Sequence, residues 1–259
     1  MDKPAPPPSH WPQRLYLVRH GQSQGNVARD KSEAEGLPTI GIDMRDVDVP
    51  LSKLGEQQAV AAGQWFAALP ESQRPEVILS SPYLRARQTA HAICEAGGLA
   101  GGRARTVIDE RLREREFGVF DGLTALGIRQ NYPEEAAHRA RLGKFYHRPP
   151  GGESWADVIL RLRSAMNSIN LHYNGRRVLI VCHQVVVLCM RYILEELDES
   201  QILAIDKSAE ILNCGICAFD FEVQELDCAP RLALWNQAAP LEEKGAPVTA
   251  EPDRMAGSR

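Results

Sequence analysis

The regular patterning of the chain begins with a four-residue apolar run, Leu15 to Val18, that ends in Arg19-His20-Gly21. A short continuous apolar run closed by a glycine turn predicts a strand buried on both faces. Behind Ser52, whose hydroxyl can cap a first turn, Leu54, Ala61, Trp65, Phe66 and Leu69 recur at helical spacing, so a helix is expected to about Leu69. Val77 to Leu79 predicts the next strand, Ser81-Pro82 the opening of another helix, and Thr106 to Ile108 a third strand. Helical candidates occupy 124–142. Ser154 and Asp157 have the spacing of a capping box, and Trp155, Val158, Ile159, Leu162, Met166, Ile169 and Tyr173 follow with helical period. Arg177 to Cys182 reads as a central strand and Val185 to Leu197 as the helix after it. Ile216 to Val223 and Leu232 to Trp235 read as closing strands.

Strand followed by helix along the chain predicts an α/β fold, a three-layer sandwich whose mostly parallel central sheet carries helices on both faces. The proline-rich stretch 1–12 and the stretch 238–259 read as disordered tails around one domain at 13–237.

Composition narrows the class. The 259 residues are 44% hydrophobic and 25% charged, enough to bury a full core. A net charge of -4 without a long basic run argues against nucleic acid or a membrane surface as partner. The most apolar stretch, Val178 to Met190, is interrupted by His183 and Gln184 and falls short of the roughly 20 residues that span a bilayer. The opening MDKPAPPPSHW has no apolar signal core, so the six cysteines are expected as reduced thiols in a cytoplasm. Cys214 and Cys217 have a C-x-x-C spacing, but no second pair or histidine partner lies nearby. An offset of three within a strand puts the thiols on opposite faces, so neither metal nor cofactor is expected there.

Ligands of open α/β sheets collect beyond the carboxyl ends of the strands. The polar residues at those positions are Arg19, His20, Ser23 and Asn26 after the first strand, Arg85 after the second, Glu114 after the third and His183 after the fourth. Singly, most have ordinary explanations: a hydrogen-bonded His20, solvated Arg19 and Arg85, and a Glu114 salt-bridged among Arg113, Arg115 and Glu116. His183 differs, because an ionisable group at the most apolar strand–helix junction needs a partner or a purpose. Together they make a phosphoryl-transfer set: forked arginines fit phosphate oxygens, neutral imidazole accepts a phosphoryl group, and a carboxyl group protonates the leaving oxygen.

LVRHGQSQGN at 17–26, SSPYLRARQTA at 80–90, LREREFGVFDG at 112–122, PGGES at 150–154 and VLIVCHQ at 178–184 resemble, in this order, the signature segments of the histidine phosphatase superfamily. This is the family of phosphoglycerate mutases and acid phosphatases, and the likeness spans about 15–220. Residues 132–158 and 178–194 are similar to the fructose-2,6-bisphosphatase domain in particular. The resemblance implies that His20 is the phosphorylated nucleophile, that Arg19, Arg85 and His183 bind the phosphoryl group, that Ser23 and Asn26 are pocket positions, and that Glu114 is the proton donor. The activity it implies is a metal-independent, cofactor-free phosphomonoesterase acting on a small-molecule phosphate ester. A phosphoglycerate mutase and an inactive binder of phosphorylated ligands are the alternatives. Gln22 stands where many relatives have glutamate, and Val27 to Pro50 is longer and more acidic than in small members, so a loop there is expected to shape the mouth. Glu153 has two readings, a pocket carboxylate or a negative charge at a helix start. Cys182 reads as a buried strand residue.

Overall fold

The computed structural model describes residues 11–99, 105–208, 210–221, 230–238 and 247–250. The expected tail at 1–12 therefore lies outside the described residues except for Trp11 and Pro12. Six strands form one sheet: β1 (Arg14–Arg19), β2 (Val77–Ser80), β3 (Arg105–Ile108), β4 (Arg177–Cys182), β5 (Ile216–Phe221) and β6 (Pro230–Gln237), in the spatial order β3-β2-β4-β1-β5-β6. The pairings β1–β4, β2–β4 and β2–β3 are parallel, whereas β1–β5 and β5–β6 are antiparallel. The expected alternation of strand and helix thus holds for the first four strands and stops at the closing hairpin pair.

The described helices are α1 (Gln24–Ala34), α2 (Lys53–Ala68), α3 (Leu84–Ala96), α4 (Ala125–Asn131), α5 (Pro133–Leu142), α6 (Trp155–His172), α7 (Gln184–Leu194) and α8 (Glu199–Ser208). Alternate residues of each central strand face opposite ways, so one sheet feeds two cores. Leu15, Leu17, Val178 and Ile180 pack with α6 and α7, while Tyr16, Val18, Leu179 and Val181 pack with α2 and α3. Both faces are covered, which is why these strands read as unbroken apolar runs. Each fully buried aliphatic side chain contributes about 1.5–3 kcal/mol, so this double core carries most of the driving force.

The Ser154–Asp157 capping box forms with both reciprocal bonds. A second one, Ser23 with Asn26, starts α1, which runs to Ala34 and so into the stretch expected as a mouth loop. The helix expected from Ser81-Pro82 begins at Leu84 after Tyr83, while the Ser81 hydroxyl accepts from the Tyr83 N–H and meets His183 Nε2. The helix expected to Leu197 ends at Leu194. Glu196 takes a left-handed turn (φ 52°) and α8 starts at Glu199. Of the expected β5 segment, Glu222 and Val223 lie outside the described residues.

Within the C-terminal stretch, residues 247–250 lie against the domain. The Gln58 side-chain amide donates to the Pro247 carbonyl (3.0 Å) and to the Thr249 hydroxyl (2.8 Å), and that hydroxyl donates to Asn213 Oδ1 (2.9 Å). Val248 packs against the α2–α3 core. No helix among the described residues is long and apolar enough to cross a membrane.

Candidate active site

The carboxyl ends of β1, β2 and β4 meet the starts of α1, α3 and α7, and here most of the chemistry-bearing residues converge. Helix starts offer backbone N–H groups and a positive dipole end, a setting that suits an anion. The loop after β1 is held tightly. Its Gly21 and the Gly55 of α2 press backbone on backbone: a Cβ at Gly21 would lie 2.4 Å from the Gly55 carbonyl oxygen, and one at Gly55 2.0 Å from that of Gln22. Gln22 N–H donates to Gln58 Oε1 (2.9 Å), and the Ser52 hydroxyl donates to Gln22 Oε1 (2.6 Å). The neutral amide of Gln22 is thus tied to the cap of α2.

His20 is fully buried. Its Nδ1 lies 2.7 Å from the Gly21 carbonyl oxygen and its Nε2 lies 3.3 Å from Arg85 Nε–H. A carbonyl can only accept and a guanidinium can only donate, so the two bonds together fix the tautomer: Nδ1 carries the proton and Nε2 presents its lone pair. The Asn213 amide supports the loop from behind, donating to the His20 carbonyl (3.2 Å).

His183, at the cap of α7, is also fully buried, with its ring 5.1 Å from that of His20. Its Nε2 meets the Ser81 hydroxyl at 2.8 Å, and its Nδ1 faces Glu114 Oε2 at 3.9 Å. Arg19 is fully buried and donates to the Ile211 carbonyl. Arg85 and Glu114 connect these buried groups to an open cleft of about 190 Å³, which Ser23 and Asn26 also line. Arg85 lies under the Tyr83 ring (4.8 Å) and gives the end of its fork to Asp46, Nη1 to Oδ1 (2.8 Å) and Nη2 to Oδ2 (3.1 Å).

The loop carrying Glu114 is built around Glu153. That carboxylate accepts from Arg113 (2.7 Å), from Arg161 twice (2.9 and 3.0 Å) and from the Glu116 N–H (3.1 Å). Burial pushes the Glu153 carboxyl up, but the bonds and charge of Arg161, the Glu116 N–H and Arg113 prevail and hold it below the usual range. Glu153 is thus neither a cleft carboxylate nor chiefly a helix-start charge, since it does not line the cleft and its oxygens are taken by two arginines. Arg115 is buried in the same loop, which pushes its guanidinium down to about 10, with Arg139 acting in the same direction. At Gly118 (φ 56°) a Cβ would lie 2.1 Å from the Pro150 carbonyl oxygen, so the turn closing this loop needs glycine.

Cys214 and Cys217 lie in opposite cores, and burial pushes each thiol up to about 12. Cys182 is buried at the end of β4. Three groups escaped the sequence reading. Ser81 lies directly beyond the end of β2, and the strand-end rule would have found it. Asp46 opens a single 3-10 turn and Asn213 sits in a turn before β5, where no periodicity marks them.

Residues 15–237 match the family model of the histidine phosphatase superfamily (branch 1). The chain belongs to this superfamily. Among its relatives, the 2,3-bisphosphoglycerate-dependent phosphoglycerate mutase of Azorhizobium caulinodans is 31% identical over 194 residues, 73% of this chain and 84% of the mutase. The 6-phosphofructo-2-kinase/fructose-2,6-bisphosphatase of Caenorhabditis elegans is 32% identical over 180 residues, 69% of this chain but 33% of that protein. A bifunctional protein of Mycobacterium tuberculosis is 33% identical over 66% of this chain, and the match covers 41% of its length. This chain therefore spans less than half of these two multifunctional relatives. Mycobacterial glucosyl-3-phosphoglycerate phosphatase, solved with VO3, superposes with a TM-score of 0.64 at 27% identity, covering 86% of this chain and 99% of the phosphatase. This member of the histidine phosphatase superfamily thus has both phosphatases and mutases among its relatives.

Proposed function

We propose that this histidine phosphatase superfamily member is a metal-independent phosphomonoesterase that hydrolyses a small phosphorylated metabolite through a phosphohistidine at His20. The observation that carries the reading is the state of His20: with Nδ1–H held by the Gly21 carbonyl, its Nε2 lone pair faces Arg85 beside the cleft. In the first step Nε2 attacks phosphorus in line, the N–P bond forms and the bond to the leaving oxygen breaks. The Nε–H of Arg85 passes from the imidazole to a phosphoryl oxygen, with Arg19 and His183 adding positive charge or donors. Glu114 gives its proton to the departing alkoxide. In the second step Glu114 takes a proton from water as that water attacks phosphorus, the N–P bond breaks, and inorganic phosphate leaves with His20 restored.

Phosphate release from sugar phosphates, phosphoglycerates, nucleotides and nitrophenyl phosphate, measured in excess chelator, tests this reading. Release by the natural chain and none by His20→Ala is expected. A stable phosphoenzyme that passes its phosphate to a monophosphoglycerate instead of to water would overturn hydrolysis in favour of a mutase. Undiminished release by His20→Ala would remove the nucleophile assignment.

A further inference from the structure

The rim of the cleft differs in chemistry from its floor. The segment 37–49 forms one wall and places Ile40, Ile42, Met44 and Val49 on the lining. It is fastened to the opposite turn: the Ile40 N–H donates to the Gly122 carbonyl (2.9 Å), the Thr124 N–H to that of Pro38 (3.1 Å), and the Thr124 hydroxyl to that of Leu37 (2.6 Å). The wall is therefore part of a closed rim. Two carboxylates face the cleft from it, Asp46 on the wall and Asp121 on the opposite turn. Burial and then the charge of Asp46 raise the Asp121 carboxyl above its usual range, against the Gly122 N–H, Arg29 and Arg85, which lower it.

Asp46 engages the end of the Arg85 fork while Nε faces His20. Arg85 can thus serve a phosphoryl group bound at His20 from its Nε side, while its charge toward the rim is offset by Asp46. A phosphoryl group at His20 leaves the rest of the substrate to lie between an apolar wall and two carboxylates, with Arg29 as a rim cation. A leaving group bearing a second carboxylate or phosphate meets both rim carboxylates there, and Arg29, whose charge already acts on Asp121, offsets them only in part. An uncharged leaving group with an apolar face meets Ile40, Ile42 and Met44 instead.

We propose that the substrate is a phosphate monoester whose leaving group carries no second anionic group and has an apolar face, and that Asp46 and Asp121 are the residues that reject bisphosphates and phosphoglycerates. This rests on the phosphomonoesterase reading for the position of the phosphoryl group.

A binding measurement separates the two claims, since it needs no turnover. On the folded His20→Ala variant, dissociation constants are measured by calorimetry for glycerol 3-phosphate and 3-phosphoglycerate, which differ by a hydroxymethyl group against a carboxylate. Glycerol 3-phosphate is expected to bind at least about tenfold tighter, a difference of about 1.4 kcal/mol. Affinity is also expected to rise along ethyl, butyl and hexyl phosphate. Adding Asp121→Asn, which leaves the partner of Arg85 in place, is expected to narrow the ratio, and adding Asp46→Asn as well to bring it below about threefold. Equal or tighter binding of 3-phosphoglycerate, a ratio that survives both substitutions, or no binding of either ester would overturn the substrate class. If the binding preference holds while the natural chain releases no phosphate from any ester, hydrolysis fails and the substrate class stands.

Discussion

Glu153→Ala isolates the scaffold of the acid loop from its chemistry. The Glu153 carboxylate, 12% exposed, accepts four hydrogen bonds, and its removal leaves Arg161, 10% exposed, without the carboxylate that its Nε and Nη2 engage. Breaking such a largely buried, charge-assisted cluster costs about 2–4 kcal/mol, allowing for partial solvation. For a domain of this size, at about 2–4 °C per kcal/mol, that is a fall in melting temperature of about 4–16 °C. Arg161 also donates to the Glu114 carbonyl (3.2 Å), so the loop that aims Glu114 loosens with it, although the Arg115 bond to the main-chain carbonyl of residue 153 (2.6 Å) stays. A displacement of about 1 Å in a reacting group costs on the order of 100-fold in rate. Thermal melts and steady-state hydrolysis of glycerol phosphate and nitrophenyl phosphate read the two effects separately. The glycerol ester, whose alkoxide needs a proton, is expected to lose far more than the nitrophenyl ester. A lower melting temperature with equal slowing of both esters would refute the claim that Glu153 acts through Glu114.

Four further outcomes are expected. Glu114→Gln slows esters with poor leaving groups more than nitrophenyl phosphate, and equal slowing in the same assay removes Glu114 as the acid. Gly21→Ala, whose Cβ would meet the Gly55 oxygen at 2.4 Å, destabilises by about 1–3 kcal/mol in denaturant titrations and cuts activity; wild-type stability would show that the loop and α2 separate freely. Cys214 and Cys217, with thiols pushed up to about 12 by burial, stay unlabelled by a thiol reagent at neutral pH until the chain unfolds, and native-state labelling as fast as in denaturant would contradict their burial. Burial raises the carboxyls of Glu153, Asp109 and Asp157, but the opposing bonds from Arg161, Arg111, Ser154 and Arg148 win and hold all three below their usual range. They therefore bind protons more readily in the unfolded chain, so their stabilisation is present above the unfolded value and disappears as pH falls through the folded one. The melting temperature should drop below about pH 4, and a flat profile from pH 6 to 3 would contradict it.

The central strands were legible because both faces are covered, so Leu15 to Val18 and Arg177 to Cys182 carry an unmistakable apolar signal. The seven polar residues at strand ends were found by a topological rule, and the structure sets Arg85 against His20, Glu114 against His183, and Ser23 and Asn26 on the same cleft as Arg85 and Glu114. The antiparallel attachment of β5 was not legible, since a strand carries no mark of the direction of its neighbour. Helix α1 was missed because its buried residues are Asn26, Arg29 and Ser32, which show no apolar period. Asp46 was invisible for another reason: its partner, Arg85, lies 39 residues away, and the pairing exists only once α3 and the rim are folded together.

The hold of residues 247–250 on the domain bears on how the chain can be cut or extended. Thr249 joins the two buried amides, Gln58 and Asn213, that brace the His20–Gln22 loop from either side. A version ending at residue 238 keeps the described strands and both bonds to the loop, but takes away the partners of Gln58 Nε2 and Asn213 Oδ1, so the two side chains that hold the nucleophile's loop lose their own anchors. Residues at the far end of the sequence belong, in chemical terms, to the first strand's loop.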